Sequence, residues 1–169
     1  MHAEAYQYVA VVAAALNLDG ARVLEIGSYH VNGTVRPIFA AAATYHGIDR
    51  RPGPGVDEVI DAADFDGAGR YDVVVCCETL EHAPHPPALL ATAWHALRPG
   101  GRLILTAAAP ERAPHSCDGT PGIPRGETYT AIDPDDLASW LAAWRQVRIA
   151  HHPDRGDVYA TATRPRGRA

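Results

Sequence analysis

"YDVVVCC", residues 71–77, is an apolar run broken only by Asp72. A strand with one wet face alternates polar and apolar residues; a strand apolar on both faces must be covered from above and below, as central parallel strands are. The run therefore predicts the middle of a parallel sheet, and the flanking sequence can be ordered around it. Upstream, Ala21–Ile26, Thr44–Asp49 and Val56–Ile60 read as strands, and downstream "RLILTAA", residues 102–108, reads as a fifth.

Helical patterns fall between these strands. Tyr6–Leu18 places Val9, Val12, Ala13 and Leu16 on one face before Gly20. A second helix is expected from Thr34, with Pro37 in its first turn, where a missing N–H costs little. Pro87–Leu97 carries Leu90, Trp94 and Leu97 on one side and stops at Pro99-Gly100-Gly101. Asp133-Pro134 is a strong helix start, followed by the stripe Leu137, Trp140, Leu141 and Trp144. Two last strands, Gln146–Ala150 and Asp157–Thr163, are joined by a loop too short for a crossover and must pair antiparallel. The expected fold is a doubly wound α/β sandwich: a mostly parallel sheet with helices on both faces, closed by an antiparallel hairpin.

Composition bounds the function. The 169 residues, 47% of them apolar, suit one globular domain with a real core. The net charge of -5 disfavours a nucleic-acid partner, although Arg164, Arg166 and Arg168 make the tail locally basic. No run has the length of a membrane span, and the apolar stretch Tyr8–Leu16 lacks a basic leader and a cleavage context. A cytoplasmic protein is expected. Cys76, Cys77 and Cys117 are odd in number, and adjacent cysteines in a strand point to opposite faces, so free thiols are expected.

In such a sheet, ligands bind beyond the carboxyl ends of the strands, where strand order reverses. After the first strand comes "GSYHVNG", residues 27–33, which lacks the G-x-G-x-x-G of a pyrophosphate-binding loop. The second strand ends on Asp49, about 20 residues after Gly27, the spacing at which a carboxylate reaches a ribose diol; a solvent-facing acid is the alternative. After the third, Asp61 can accept from an exocyclic amine and the Ala62 N–H can donate to a ring nitrogen. Asp61 and Asp64 can equally be loop acids capping a turn.

Together VLEIGS (23–28), GID (47–49), IDAADF (60–65), YDVVVCCETLEH (71–82) and LRPGGRLILT (97–106) resemble, in order and spacing, the motifs of class I S-adenosylmethionine-dependent methyltransferases. GSYHVNGTVRPIF and DRRPGPGVD are similar to a subgroup whose first loop reads G-S-x-x-V-N-G-[ST]-V-R-P. The resemblance implies a Rossmann-like fold and S-adenosylmethionine as cofactor. It implies that Glu25 and Gly27 approach the methionine part, with Ser28, Tyr29, Gly33 and Arg50 on the same pair of loops. Asp49 would hold the ribose, Asp61 and Ala62 the adenine, and Cys77 and Glu78 the wall beside the sulfonium. The family's E-x-G-x-G-x-G has Tyr29 and Val31 in place of its second and third glycines. A ligand without pyrophosphate tolerates that change, with Asn32-Gly33 supplying the tight turn.

The implied reaction moves a methyl group to an O or N nucleophile of a small molecule. His82 and His115 are the candidate bases, because an imidazole can accept a proton near neutrality. His30, Glu81 and Tyr129 are expected on the acceptor side. The aperiodic stretch 110–130, rich in proline and glycine, reads as a lid or substrate loop that adds Arg125 and Glu127. No metal is expected, since His82/His85 and His151/His152 lack the convergent spacing of a zinc site. A homodimer or a carrier-presented substrate stays open. So do two other functions: a non-catalytic scaffold subunit with this fold, and an NAD-dependent oxidoreductase, against which the missing glycines argue.

Overall fold

The computed structural model describes residues 2–167, so Arg168 of the basic tail lies outside the described residues. Helix α1 (Ala3–Ala14) leads into β1 (Arg22–Ile26), β2 (Thr44–Asp49), β3 (Glu58–Val59) and β4 (Tyr71–Cys77). Then follow α2 (Pro86–Ala96), β5 (Leu97–Ala108), α3 (Pro134–Trp140), β6 (Arg145–His152) and β7 (Asp157–Thr163). The seven strands form one sheet in the order β3-β2-β1-β4-β5-β7-β6. Every pairing from β3 to β5 is parallel, while β7 runs antiparallel to both β5 and β6. This is the doubly wound sheet with a closing hairpin that the strand pattern implies.

Alternation along the central strands divides the core. Val23, Val73, Val75 and Ile104 point to one face, where Val9 and Ala13 of α1 and Phe39 cover them. Leu24, Ile26, Val74, Cys76, Leu103 and Leu105 point to the other, under Leu90 and Ala93 of α2 and Leu137 of α3. That two-sided burial is why residues 71–77 are apolar at nearly every position. Asp133 caps α3 by accepting from the Asp135 N–H at 2.8 Å, as the Asp-Pro start requires. Trp94 and Trp144 meet edge to face at 4.9 Å.

Several elements differ from their expected extent. The helix after Thr34 is only a 3-10 turn, Arg36–Phe39. Residues 27–35 run along the ligand end of the sheet, and the Ala43 N–H already bonds back to the Ala21 carbonyl, so little chain remains for a helix. The third strand shrinks to two exposed edge residues. Helix α1 starts earlier than Tyr6 and ends at Ala14, and α3 stops at Trp140, although Leu141 and Trp144 remain buried beyond it. Pro99-Gly100-Gly101 is no separate turn. It is absorbed at the start of β5, where pairing with β4 slips between Tyr71 and Val73. No helix of the described residues is long and apolar enough to cross a membrane.

Candidate active site

β1 and β4 are neighbours, but the chain leaves β1 toward β2 and β3 and returns to the other side for β4. The crevice beyond their carboxyl ends is the switch point of the sheet. A cavity of about 820 Å³ opens there. It is bordered by all of the residues assigned to cofactor contact: Glu25, Gly27, Ser28, Tyr29 and Gly33 from the first loop, Asp49 and Arg50 from the second. Asp61 and Ala62 of the third and Cys77 and Glu78 of the fourth complete that border.

The first loop is braced from beneath by the second. Gly27 and Ser28 donate to the Ile48 carbonyl at 2.9 and 3.1 Å, and His30 donates to Pro54 O at 2.8 Å. Reversal of the chain begins at Gly27, with φ +80°, and Gly33 takes φ +128° further on; the turn is not confined to Asn32-Gly33. Tyr29 lies against Gly53, where a Cβ would fall 1.9 Å from its ring, and the Arg51 guanidinium sits 4.9 Å above the ring centre. Asp49 accepts from the Tyr29 N–H at 3.1 Å and the Arg51 N–H at 2.9 Å, so its carboxylate holds both loops while bordering the cavity. Asp61 does cap a turn, accepting from Ala63 at 3.0 Å, and its other oxygen lies 3.3 Å from Arg50.

Glu25 is buried at the base of the cavity and accepts from the Tyr45 hydroxyl at 2.7 Å. Burial pushes its carboxyl up from 4.5 to about 7 against the pull of Tyr45 and Arg36. A carboxyl raised in the fold favours the protonated folded state. Its stabilisation is complete below the ordinary value near 4.5 and is lost as pH rises to about 7, a change of about 3 kcal/mol. Other carboxyls titrate across this range too, so the expected result is a difference: urea unfolding of wild type should weaken more than that of Glu25→Gln between pH 4.5 and 7. Parallel pH profiles would remove Glu25 as the cause.

Cys77 ends β4, and burial pushes its thiol well up, so it is an inert wall and no nucleophile. Glu78 follows in the left-handed region at φ +51°, a strained position for a residue with a side chain. Burial would raise its carboxyl, but His2 and Arg112 outweigh burial and hold it well below the usual range. His2 lies 3.5 Å from the Glu78 carboxylate, and the Arg112 guanidinium pairs with Glu78 and with the fully buried Asp157.

The acceptor-side candidates divide. His82 and His115 both border the cavity, with ring centres 5.2 Å apart. Tyr129 lies outside the border but packs on both rings, at 5.7 and 5.0 Å. Burial lowers the His82 imidazole, with His115 adding to the effect, so His82 is neutral near pH 7. His30 is a correction: it is exposed and outside the cavity border, because its backbone is tied down to Pro54. Glu81 is also placed otherwise than expected. The 3-10 turn Leu80–His82 carries its carboxyl inward, where it is wholly buried. Arg125 is exposed and apart from the cavity, whereas Glu127 borders it and accepts from the Cys117 N–H at 2.8 Å. Neither of the histidine pairs near in sequence forms a cluster with a third ligand-type group among the described residues, but ligand-type atoms of Glu81, His82 and His115 all lie within 4.8 Å of one another.

Sequence reading missed His2, Thr79 and Arg112, which all border the cavity. Of these, Arg112 is one of two arginines, with Arg125, in the 110–130 segment, and no spacing distinguishes it there.

A methyltransferase domain family profile matches residues 1–160. The chain belongs to the class I S-adenosylmethionine-dependent methyltransferases. Among its relatives in this family is the ubiquinone biosynthesis O-methyltransferase of Xanthomonas oryzae pv. oryzae, 31% identical over 154 residues, covering 77% of this chain and 64% of that protein. The chain thus spans less than two thirds of the length of that relative. Among solved structures, the 1,6-didemethyltoxoflavin-N1-methyltransferase of Burkholderia thailandensis, with S-adenosylhomocysteine, superposes with a TM-score of 0.70 at 18% identity, over 95% of this chain and 78% of that one. The phosphoethanolamine N-methyltransferase 2 of Haemonchus contortus, with S-adenosyl-L-methionine, gives 0.72 at 13% identity, over 95% and 52%. At such identities the likeness is one of fold.

Proposed function

We propose that this chain binds S-adenosylmethionine in the cavity and transfers its methyl group to an oxygen or nitrogen nucleophile of a small molecule, releasing S-adenosylhomocysteine. One observation carries the reading: residues of the kinds needed for the amino acid, ribose and adenine parts stand at four successive strand ends around a single cavity. Its volume of about 820 Å³ lies toward the upper end of small-molecule sites, leaving room for an acceptor. Bound there, S-adenosylmethionine supplies an electrophilic methyl on a sulfonium. The chain's own part is alignment, which can contribute about 7–11 kcal/mol to the barrier reduction. Asp49 and Asp61 orient the nucleoside, and Cys77 and the Glu78 backbone wall the sulfur. His82 and His115 face the acceptor, Tyr129 backs their rings, and the 110–130 segment is its cover.

Calorimetry with S-adenosylhomocysteine should show one site per chain, and NAD should not compete. Asp49→Ala should weaken that affinity about 10–100-fold, the loss of a charge-assisted hydrogen bond worth about 1.5–3 kcal/mol. A wild-type chain that ignores S-adenosylhomocysteine would sink the reading. Turnover is then tested by S-adenosylhomocysteine release over a panel of hydroxyl and amine acceptors.

A further inference from the structure

Glu81 is fully buried, and neither of its carboxyl oxygens has a hydrogen-bond partner. An unpaired buried carboxyl is costly in either protonation state, because its anion is desolvated and its neutral form leaves a donor and acceptors unmet. Next to it, His82 Nδ1 is also buried and unpartnered. His115 comes to the same point from the segment after β5, bringing one nitrogen within 4.8 Å of the other two ligand-type atoms. Arg112, a neighbouring cation, is engaged by Glu78 and Asp157.

We propose that Glu81, His82 and His115 form a binding site for one divalent transition-metal ion at the acceptor end of the cavity. The donor set selects the metal class. Two imidazoles and one carboxylate suit zinc, iron, cobalt or manganese better than magnesium or calcium, which prefer all-oxygen shells. Bonds of about 2.1 Å place neighbouring ligand atoms about 3–3.4 Å apart, so the groups need only close by small side-chain rotations. Three ligands leave positions open, and His82 and His115 border the cavity, so those positions face the acceptor. A cation there neutralises Glu81 and satisfies His82, which removes both orphaned groups together.

The metal site stands on its own geometry. Its consequence for chemistry rests on the methyl-transfer reading: a hydroxyl that reaches the ion loses its proton to solvent more readily, so the acceptor would be an oxygen nucleophile. His82 and His115 would then act by holding the ion and not by taking the proton themselves.

The test uses the whole chain, stripped with chelator and titrated with cobalt(II) alone. One equivalent should bind and give visible d–d bands, and zinc should displace it. Glu81→Gln, His82→Ala and His115→Ala should each weaken cobalt binding at least tenfold, while His151→Ala, outside the cluster, should not. His115 lies in a loop and is the variant least able to harm the fold. Calorimetry with S-adenosylhomocysteine on the same samples separates the two readings, since the metal can bind whether or not the nucleoside does. A wild-type chain that takes up neither cobalt nor zinc, or a His115→Ala chain that binds cobalt as tightly as wild type, would overturn the proposal.

Discussion

Replacing Arg112 by alanine should destabilise the protein by about 3–5 kcal/mol, the cost of stripping one partner from a buried ion pair. Arg112 joins two acids from different strands, Glu78 beyond β4 and Asp157 at the start of β7, and only β5 lies between those strands in the sheet. Asp157 is fully buried, and His2 at 3.4 Å is too exposed to stand in for a permanent charge. The variant therefore strips the shared cation from both carboxylates, leaving Asp157 with the Tyr159 hydroxyl at 2.5 Å and Arg155 at 4.0 Å, and Glu78 with His2 at 3.5 Å. The pair should show a matching pH dependence. Because Glu78 is held below the ordinary carboxylate range, its stabilising contribution is present above that range and is lost as pH falls through its lowered value. Urea unfolding of wild type and Arg112→Ala should differ most near neutral pH and converge in acid. Arg112→Lys should recover part of the loss, since it keeps charge but not the forked geometry that reaches both acids. A neutral-pH difference below about 1 kcal/mol would show that the pairs are surface-like in strength.

That cluster also marks where sequence reading reaches its limit. Tyr71–Cys77 declared itself because burial on two faces writes a continuous apolar run, and Asp133-Pro134 because capping is local chemistry. Asp49 and Cys77 could be placed for the same reason, since each ends a strand, as could Asp61 just beyond β3, and strand ends meet at a known point of this sheet. Arg112 meets Glu78 across 34 residues and Asp157 across 45, and no spacing rule connects them. The approach of His115 to His82 is equally a product of how the long segment folds back, where Thr130 donates to the Glu81 carbonyl at 2.7 Å. Glu81 is expected on the acceptor side because it lies a few residues beyond the tip of β4. The single 3-10 turn rotates it inward. The helix expected after Thr34 failed for a related reason: its residues are needed to line the cavity and rejoin the sheet.

Gly27→Ala should have a comparable effect through strain. The residue sits at φ +80°, which costs a residue with a Cβ about 1–2 kcal/mol. Its Cβ would also fall 2.1 Å from Thr79 Oγ1, 2.4 Å from Cγ2 and 2.8 Å from Cβ. Thr79 cannot rotate away freely, because its hydroxyl donates to the Cys77 carbonyl at 2.9 Å. Overpacking of this kind adds about 1–3 kcal/mol, so a total near 3 kcal/mol is expected by urea unfolding. The same collision acts on function, since Gly27 and Thr79 border the cavity from the ends of neighbouring strands. Moving them apart should lower S-adenosylhomocysteine affinity at least tenfold. The two causes can be separated by adding Thr79→Gly, which removes every clashing atom but leaves the backbone cost at position 27. The double variant should regain more affinity than stability, because glycine at 79 loosens the chain it relieves. If Gly27→Ala alone stays within about 1 kcal/mol of wild type, the loop can yield without Thr79, and Gly27 is not what keeps β1 and β4 close at the switch point.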